Sequence, residues 1–575
     1  MGDAGAARLS GAVTLNGSTT LLKFPFGPVN GGRIAGLDDE LPATALHGGS
    51  NLHGVDNLHG IDIAASAGMY GARDSARKRI LFVTSEFAGL VKVGGLGDVS
   101  AALPRALAKH HDIRVLIPGF RQILDSGIPI RHVGRIAGHA ALPPCRVGRM
   151  DLDDGLIIYL ILCPELYERD GTPYSDESGH DWADNHIRFA RLGLAAAEIA
   201  AGNADILWRP ELVHANDWPA AMAPAYMSWR GQPTPSVFTI HNLAYHGLCP
   251  LQCTPELAIP AAACSSDEME FYGELSFLKA GIAYADHITT VSQTYAQEIT
   301  TPALGCGLDG ILRCKVNDGQ LSGFVNGIDE SWQPLTDPHL VQGFSALQWE
   351  GKRANAVYIE NRFGLDADDG PLFAVVSRLV HQKGIDLTCK VAEWIVSAGG
   401  RLVVIGRGDQ TLEHTMVALG ARHPGRIGVH IGFNETDARR IFAASDFLLM
   451  PSRYEPCGLS QMYAQRFGSL PIARRTGGLA DTIEDGVTGF LFREATIDSY
   501  LEAVARAMNV YRHPDLLNAM RCKAMQSPPF WHEAVEPYDQ LYRHLLKADA
   551  VAGTAVDSVL SATSLSATSL FPARL

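Results

Sequence analysis

The sequence predicts two doubly wound α/β domains facing one another across a cleft. Three features carry that prediction. The chain has 575 residues, 46% of them apolar, which is too long for one ordinary domain and ample for two cores. From Arg79 onward, short runs of branched apolar residues alternate with segments of helix length, the pattern of a parallel sheet covered on both faces. The same pattern restarts near residue 370.

Ile80-Leu81-Phe82-Val83-Thr84 opens the first domain, followed by a glycine-rich loop and a helical spacing through Val99, Leu103 and Leu107. Ile113–Ile117 is the second strand, stopped by Pro118, and Ile157–Leu162, Leu212–His214, Val237–Ile240 and Ile288–Val291 continue the sheet. In the second domain the strands fall at Phe373–Val376, Leu402–Ile405, Ile427–Val429, Phe447–Met450 and Leu470–Ala473. Open parallel sheets hold ligands beyond the carboxyl ends of their strands, so two of them in opposition make an interdomain cleft. The domains are read as 79–327 and 328–527, with a helix over 528–547 returning to the first. A flexible extension (1–78) and a tail (548–575) flank them. The extension carries a hexapeptide near-repeat, Asn51–Asp56 and Asn57–Asp62, and two copies cannot bury a core.

Composition excludes several classes. With 48 basic and 62 acidic residues the net charge is −14, which argues against nucleic acid or an anionic membrane as partner. No apolar run reaches the roughly 18 residues of a transmembrane helix. The start, Met1-Gly2-Asp3-Ala4-Gly5-Ala6, lacks the basic and apolar regions of a signal peptide, and the acid-poor stretch after it holds too few arginines for a transit peptide. Ten scattered cysteines without a C-x-x-C pair predict a reduced, cytoplasmic protein.

The chemistry gathers in loops that follow strands. Lys92-Val93-Gly94-Gly95-Leu96-Gly97-Asp98-Val99 lies between a strand and a helix, where glycines admit a ligand to the backbone and free N–H groups attract phosphate. It matches neither Gly-x-Gly-x-x-Gly nor a Walker A loop, so a Rossmann dehydrogenase is disfavoured. Arg378 and Lys383, in Ser377-Arg378-Leu379-Val380-His381-Gln382-Lys383-Gly384, can clamp a diphosphate. Pro451–Leu459 puts Glu455 at the cleft beside the N–H groups of Gly458 and Leu459, suited to sugar hydroxyls or a developing cation. Arg475-Thr476-Gly477-Gly478-Leu479 repeats the strand–turn–helix arrangement. Asp217, in Val213–Trp218, and His241, in Thr239–Gly247, each end an apolar strand and can converge on the same cleft. Two other readings compete: His241, His246, Cys249 and Cys253 as zinc ligands, at a spacing that fits no common finger, and Cys457 as an activated thiol.

Taken together, the Lys92–Val99 loop, His241-Asn242-Leu243-Ala244-Tyr245, the Arg378–Gly384 segment, Glu455-Pro456-Cys457-Gly458-Leu459 and Arg475–Leu479 resemble bacterial glycogen synthases and plant starch synthases. Glu274–Gly281 through Tyr284-Ala285-Asp286-His287-Ile288 is similar to the same family, and the likeness runs from about residue 80 to about 547. The resemblance implies a GT-B fold. It implies transfer of glucose from ADP-glucose to the non-reducing end of an α-1,4-glucan such as glycogen, with retention of configuration and without cofactor or metal. It further implies that Lys92, Gly94 and Gly95 contact the nucleotide sugar and that Arg378 and Lys383 neutralise its diphosphate. Asp217 and His241 would hold the glucose. Glu455 would stabilise the oxocarbenium-like transition state, with Gly458, Leu459, Thr476, Gly477 and Gly478 completing the site.

Three positions depart from the family pattern. Asn216 stands where a histidine is usual, His246 replaces the glutamine of a Tyr-Gln-Gly, and Phe433 takes the place of the aromatic, often tyrosine, expected by the adenine. The alternatives are a related synthase using UDP-glucose and a non-catalytic glucan-binding protein on the same fold. The latter predicts loss of Lys92, Asp217, Arg378, Lys383 or Glu455, and all are present.

Overall fold

The computed structural model describes residues 77–205 and 207–547. The extension and tail expected at the two ends, with the near-repeat, lie outside the described residues apart from Arg77 and Lys78. From Lys78 on, the described residues belong to one unit.

The apolar runs of the first half become β1 (Arg79–Val83), β2 (Asp112–Pro118), β3 (Ile130–Ile136), β4 (Cys145–Asp151), β5 (Ile157–Leu162), β6 (Leu212–Asn216) and β7 (Ser236–Ile240). After them come β8 (Leu248–Pro250), β9 (Glu270–Phe271), β10 (Glu274–Ser276), β11 (His287–Thr290) and β12 (Leu321–Gly323). One nine-stranded sheet runs β12-β11-β7-β6-β1-β2-β5-β4-β3, while β8, β10 and β9 form a small antiparallel sheet of their own. Strands β6 and β7 are buried at every residue, which is why they read as continuous apolar runs. The helix after β1 spans Gly95–Leu107 and buries Val99, Leu103 and Leu107, the expected stripe.

A purely parallel sheet is corrected at one edge, where β3, β4 and β5 pair antiparallel. Arg131, His132 and Arg135 in β3 are exposed and interrupt its apolar residues, so a search for unbroken apolar runs passes over the strand.

The second half forms β13 (Leu372–Val376), β14 (Arg401–Gly406), β15 (Ile427–Ile431), β16 (Phe447–Met450), β17 (Leu470–Arg474) and β18 (Phe490–Phe492). They make a parallel six-stranded sheet ordered β15-β14-β13-β16-β17-β18, with an apolar core on each face. The strand order places two switch points. In the first sheet the chain leaves β1 for β2 on one side and later takes β6 on the other; in the second it leaves β13 for β14 and later takes β16. Loops after β1, β6, β13 and β16 therefore flank the two crevices where such sheets hold ligands.

Two segments join the sheets, and they run side by side: Ile328 N–H donates to Pro529 O at 2.9 Å and Trp531 N–H to Ile328 O at 3.3 Å. Beyond this crossing the chain returns to the first core, which takes Trp531, Val535, Tyr538, Leu541 and Tyr542.

Candidate active site

The loop after β1 is held by a residue that the sequence reading did not single out. Glu86 is buried, and its Oε2 accepts N–H groups from Val93 at 2.7 Å and Gly94 at 2.8 Å. Its Oε1 accepts the Tyr174 hydroxyl at 2.7 Å. Burial and the neighbouring Glu86 carboxylate keep that hydroxyl protonated far above the usual tyrosine range. The turn Lys92–Gly97 is thus pinned from below. A Cβ on Gly94 would meet nothing, and one on Gly95 only Leu459 Cδ1 at 3.8 Å, across the cleft. Lys92 is half-exposed and pairs with Asp98 at 2.7 Å.

The loop after β6 holds Asp217 in a left-handed backbone conformation, φ +57°, with 8% of its surface exposed. A non-glycine residue is strained there, and such strain concentrates at functional sites. Its Oδ1 accepts the Trp218 N–H at 3.0 Å. Burial is the main cause that pushes its carboxyl up to about 8, and the Glu86 charge adds to it. Burial likewise drives His241, after β7, down to about 3. Its Nε2 lies 3.1 Å from Asn216 Oδ1. The Asn216 amide donates to Val83 O at 3.2 Å and His214 O at 3.3 Å, so its oxygen faces the imidazole and His241 is neutral with the proton on Nε2. Below it, His214 bridges the Tyr542 hydroxyl and the Thr239 hydroxyl, each at 2.6 Å, which ties the returning C-terminal helix to the floor of the site.

The second domain supplies Arg378 and Lys383. Lys383 ends a short turn after β13 and reaches Glu455, in the loop after β16, at 2.8 and 2.6 Å. Glu455 is only 4% exposed, and Ser452 donates to it at 3.0 Å. The carboxylate expected beside the N–H groups of Gly458 and Leu459 is thus paired with Lys383 and Ser452. Arg378 lies beside them, donating to Gln382 Oε1 at 3.3 Å. Gly477 and Gly478 press against the backbone that carries Glu455: a Cβ on Gly477 would lie 1.9 Å from Glu455 O, one on Gly478 2.2 Å from Cys457 O. Phe433, just past β15, is 70% exposed. Cys457 is buried and its thiol is pushed up to about 12, the state of a packing residue and not of an activated thiol.

Contacts across the cleft bring the two sets together. Arg378 donates to the Tyr245 hydroxyl at 3.2 Å. Burial and the neighbouring Tyr245, Cys306 and Glu455 hold the Tyr454 hydroxyl protonated. Ser292 donates to Pro456 O at 2.6 Å and Thr294 N–H to Asp481 Oδ2 at 2.9 Å. The Thr476 hydroxyl and Gly477 N–H both donate to Glu298, at 2.9 and 3.0 Å. The proposed zinc constellation does not assemble: His241 bonds Asn216, and His246 packs at a tilt against the Phe271 ring at 4.5 Å. Among the described residues, the one group with metal-ligand spacing is His186, Cys253 and Glu256.

Residues 79–314 match the family model described as starch synthase catalytic domain, and residues 358–524 that of glycosyl transferases group 1. A glycogen synthase of Pseudomonas paraeruginosa is 68% identical over 476 residues, covering 83% of this chain and 93% of that protein. The chain belongs to the glycogen synthase family. A second glycogen synthase, from Pseudomonas syringae pv. syringae, is 67% identical over 82% of this chain and 97% of its own length. Among solved structures, the catalytic domain of starch synthase IV from Arabidopsis thaliana, bound to ADP and acarbose, superposes with a TM-score of 0.74 at 28% identity, covering 82% of this chain and all of that one. A sucrose-phosphate synthase from Thermosynechococcus elongatus, at 17% identity and a TM-score of 0.53, shares the fold. The glycogen synthase architecture here is GT-B, and the chain is a glycosyltransferase. No described helix is long and apolar enough to cross a membrane.

Glu86 and Tyr174 were missed because their roles need the fold. The one sequence signal was position: Thr84-Ser85-Glu86 directly follows the first apolar run.

Proposed function

We propose that this glycogen synthase transfers glucose from ADP-glucose to the non-reducing end of an α-1,4-glucan such as glycogen, with retention of configuration, in the cytoplasm. The observation that carries the reading is the Arg378–Tyr245 hydrogen bond, which joins the cationic loops of one sheet to the loops bearing Asp217 and His241 on the other. The starch synthase IV relative was solved with ADP, which favours the adenine nucleotide, and Phe433 offers an open ring face for it.

Breaking the sugar–phosphate bond leaves positive charge on the hexose ring and negative charge on the departing diphosphate. Arg378, Lys383 and Lys92 neutralise the diphosphate, and the open backbone at Gly94 and Gly95 lets the phosphates approach. Lys383 is paired with Glu455. An arriving diphosphate draws the ammonium away and frees the Glu455 carboxylate to face the ring as its charge develops. Gly458, Leu459, Thr476, Gly477 and Gly478 shape this half of the site. Asp217, raised to about 8, is a neutral acid at pH 7. It therefore holds a sugar hydroxyl as a hydrogen-bond partner and does not attack the anomeric carbon, while neutral His241 accepts through Nδ1. Same-face attack follows, with the leaving phosphate taking the acceptor's proton. Ten free thiols fit a reducing compartment.

The test is glucose incorporation into glycogen from ADP-glucose and UDP-glucose in parallel, with the label released by β-amylase, which cleaves only α-1,4 bonds from the non-reducing end. Faster incorporation from UDP-glucose removes the nucleotide assignment, and no incorporation from either removes the activity.

A further inference from the structure

Tyr272 and Phe433 are the only aromatic rings among the exposed large apolar side chains of the described residues. Phe433 lies on the nucleotide side of the cleft. Tyr272 lies on the other domain and has no part in the chemistry above. It caps the β9–β10 hairpin with 84% of its surface exposed.

The chain holds it there against its backbone preference. Tyr272 and Gly273 both have positive φ, +49° and +89°, the geometry of a two-residue turn that favours Asn-Gly. A tyrosine at the first position strains the turn without burying its ring. The turn is nonetheless well anchored. Gly273 N–H donates to Glu270 Oε1 at 2.7 Å, and Lys279 Nζ to Glu270 O at 2.6 Å. Tyr272 meets the Phe271 ring edge-on at 4.8 Å, and Phe271 packs on His246 at 4.5 Å, in the loop that begins at His241. Gly307 clears the space beside them: a Cβ there would lie 3.1 Å from Phe271 Cζ and 3.2 Å from Tyr272 Cε2. Its neighbour Cys306 lies within electrostatic reach of Tyr454 in the cleft. An aromatic ring is therefore fixed, braced and displayed on the first domain, joined through Phe271 and His246 to the loop whose Tyr245 meets Arg378.

We propose that Tyr272 is a stacking platform for a glucosyl unit of the α-1,4-glucan acceptor as the chain enters the cleft. The inference rests on the reading that this cleft extends a glucan. A flat ring with one open face suits the apolar C–H face of a pyranose, and its hydroxyl can reach a sugar hydroxyl at the rim. A nucleotide base does not fit the position, because Phe433, assigned to the base, stands on the opposite domain together with Arg378 and Lys383.

Tyr272→Asn tests it, because this substitution removes the ring and relieves the turn. The variant should melt at or above the wild-type temperature. Its KM for glycogen and for maltoheptaose should rise about tenfold, the loss of one ring's contacts. Its KM for the nucleotide sugar should stay within about twofold, and Tyr272→Phe should keep most of the acceptor affinity. Equal acceptor KM in wild type and Tyr272→Asn overturns the inference, as does a parallel rise in both KM values. Direct titration of maltoheptaose, without nucleotide sugar, separates this claim from the proposed activity. If the wild type binds the oligosaccharide and Tyr272→Asn binds it about tenfold more weakly, the platform stands even where no transfer is detected. If the wild type binds no maltoheptaose, the platform falls.

Discussion

Asp217→Asn should make the protein more stable, and the gain should grow with pH. The wild-type carboxyl titrates near 8 in the fold and near 3.8 when unfolded. Its folded value is raised, so the stability that comes from holding the proton is fully present below about pH 4. That stability is lost as pH climbs to 8, at about 1.4 kcal/mol per unit, flattening as the group becomes half-ionised. From pH 6 to pH 8 the loss integrates to about 2 kcal/mol. Asparagine does not ionise and loses nothing over that range. His241, depressed to about 3, contributes stability that is lost as pH falls below about 6.5, but it does so in both proteins and cancels in the difference. The gap in melting temperature between variant and wild type should therefore widen by about 4 °C between pH 6 and pH 8, for a first domain that melts cooperatively. Differential scanning calorimetry of both proteins at pH 6, 7 and 8 measures it. Parallel melting curves would show an ordinary ionised aspartate at 217, and the argument for a neutral acid in the site would fail with them.

Lys383→Ala leaves the buried Glu455 carboxylate unpaired and should cost about 3–5 kcal/mol by urea denaturation. Adding Glu455→Gln should restore most of that stability and none of the transfer; a double variant as unstable as the single would disprove the pairing. Glu86→Ala removes the acceptor of the Val93 and Gly94 N–H groups. It should lower kcat/KM for the nucleotide sugar about 10²-fold at a stability cost of about 1–3 kcal/mol; unchanged kinetics would refute its role in holding the loop.

The strands that could be read from the sequence are those buried on both faces. Leu212–Asn216 and Ser236–Ile240 show no polar alternation because neither face meets water. The edge pair β3–β4 and the short strands β8–β10 escaped notice because one face is wet or the strand is only two or three residues long. In the site the same limit appears. Loops that follow strands were legible because the carboxyl end of a parallel strand is where such sheets hold ligands. Partners distant in sequence were not. Glu86 to Val93 is a local bond, but Tyr174 to Glu86 spans 88 residues and His214 to Tyr542 spans 328, and no spacing rule reaches so far. The Lys383–Glu455 pair was hidden for a different reason: each residue was assigned to a part of the ligand, and no spacing rule pairs two residues 72 positions apart on different strand-end loops.

Asn216 shows how a departure from the family pattern can be read as chemistry once its partners are known. Its amide uses both ends, donating to Val83 O and His214 O and accepting from His241 Nε2. A carboxylate at this position keeps the acceptor and loses the donor. Asn216→Asp therefore turns two backbone carbonyls from partners into repelling neighbours, in a pocket where Asn216 is fully buried. The new charge can be relieved in only two ways. It can stay protonated, or it can draw a proton onto His241 and lift that imidazole from about 3 toward neutrality. Either outcome changes the proton inventory beside Asp217, whereas Asn216 carries no titrating group. The variant should melt at lower temperature by an amount worth about 1–3 kcal/mol. Its transfer rate should also fall on an acid limb absent from the wild type between pH 5 and 7. A lower melting temperature with an unchanged pH–rate profile would mean that Asn216 only packs the floor of the site and does not set the protonation of His241.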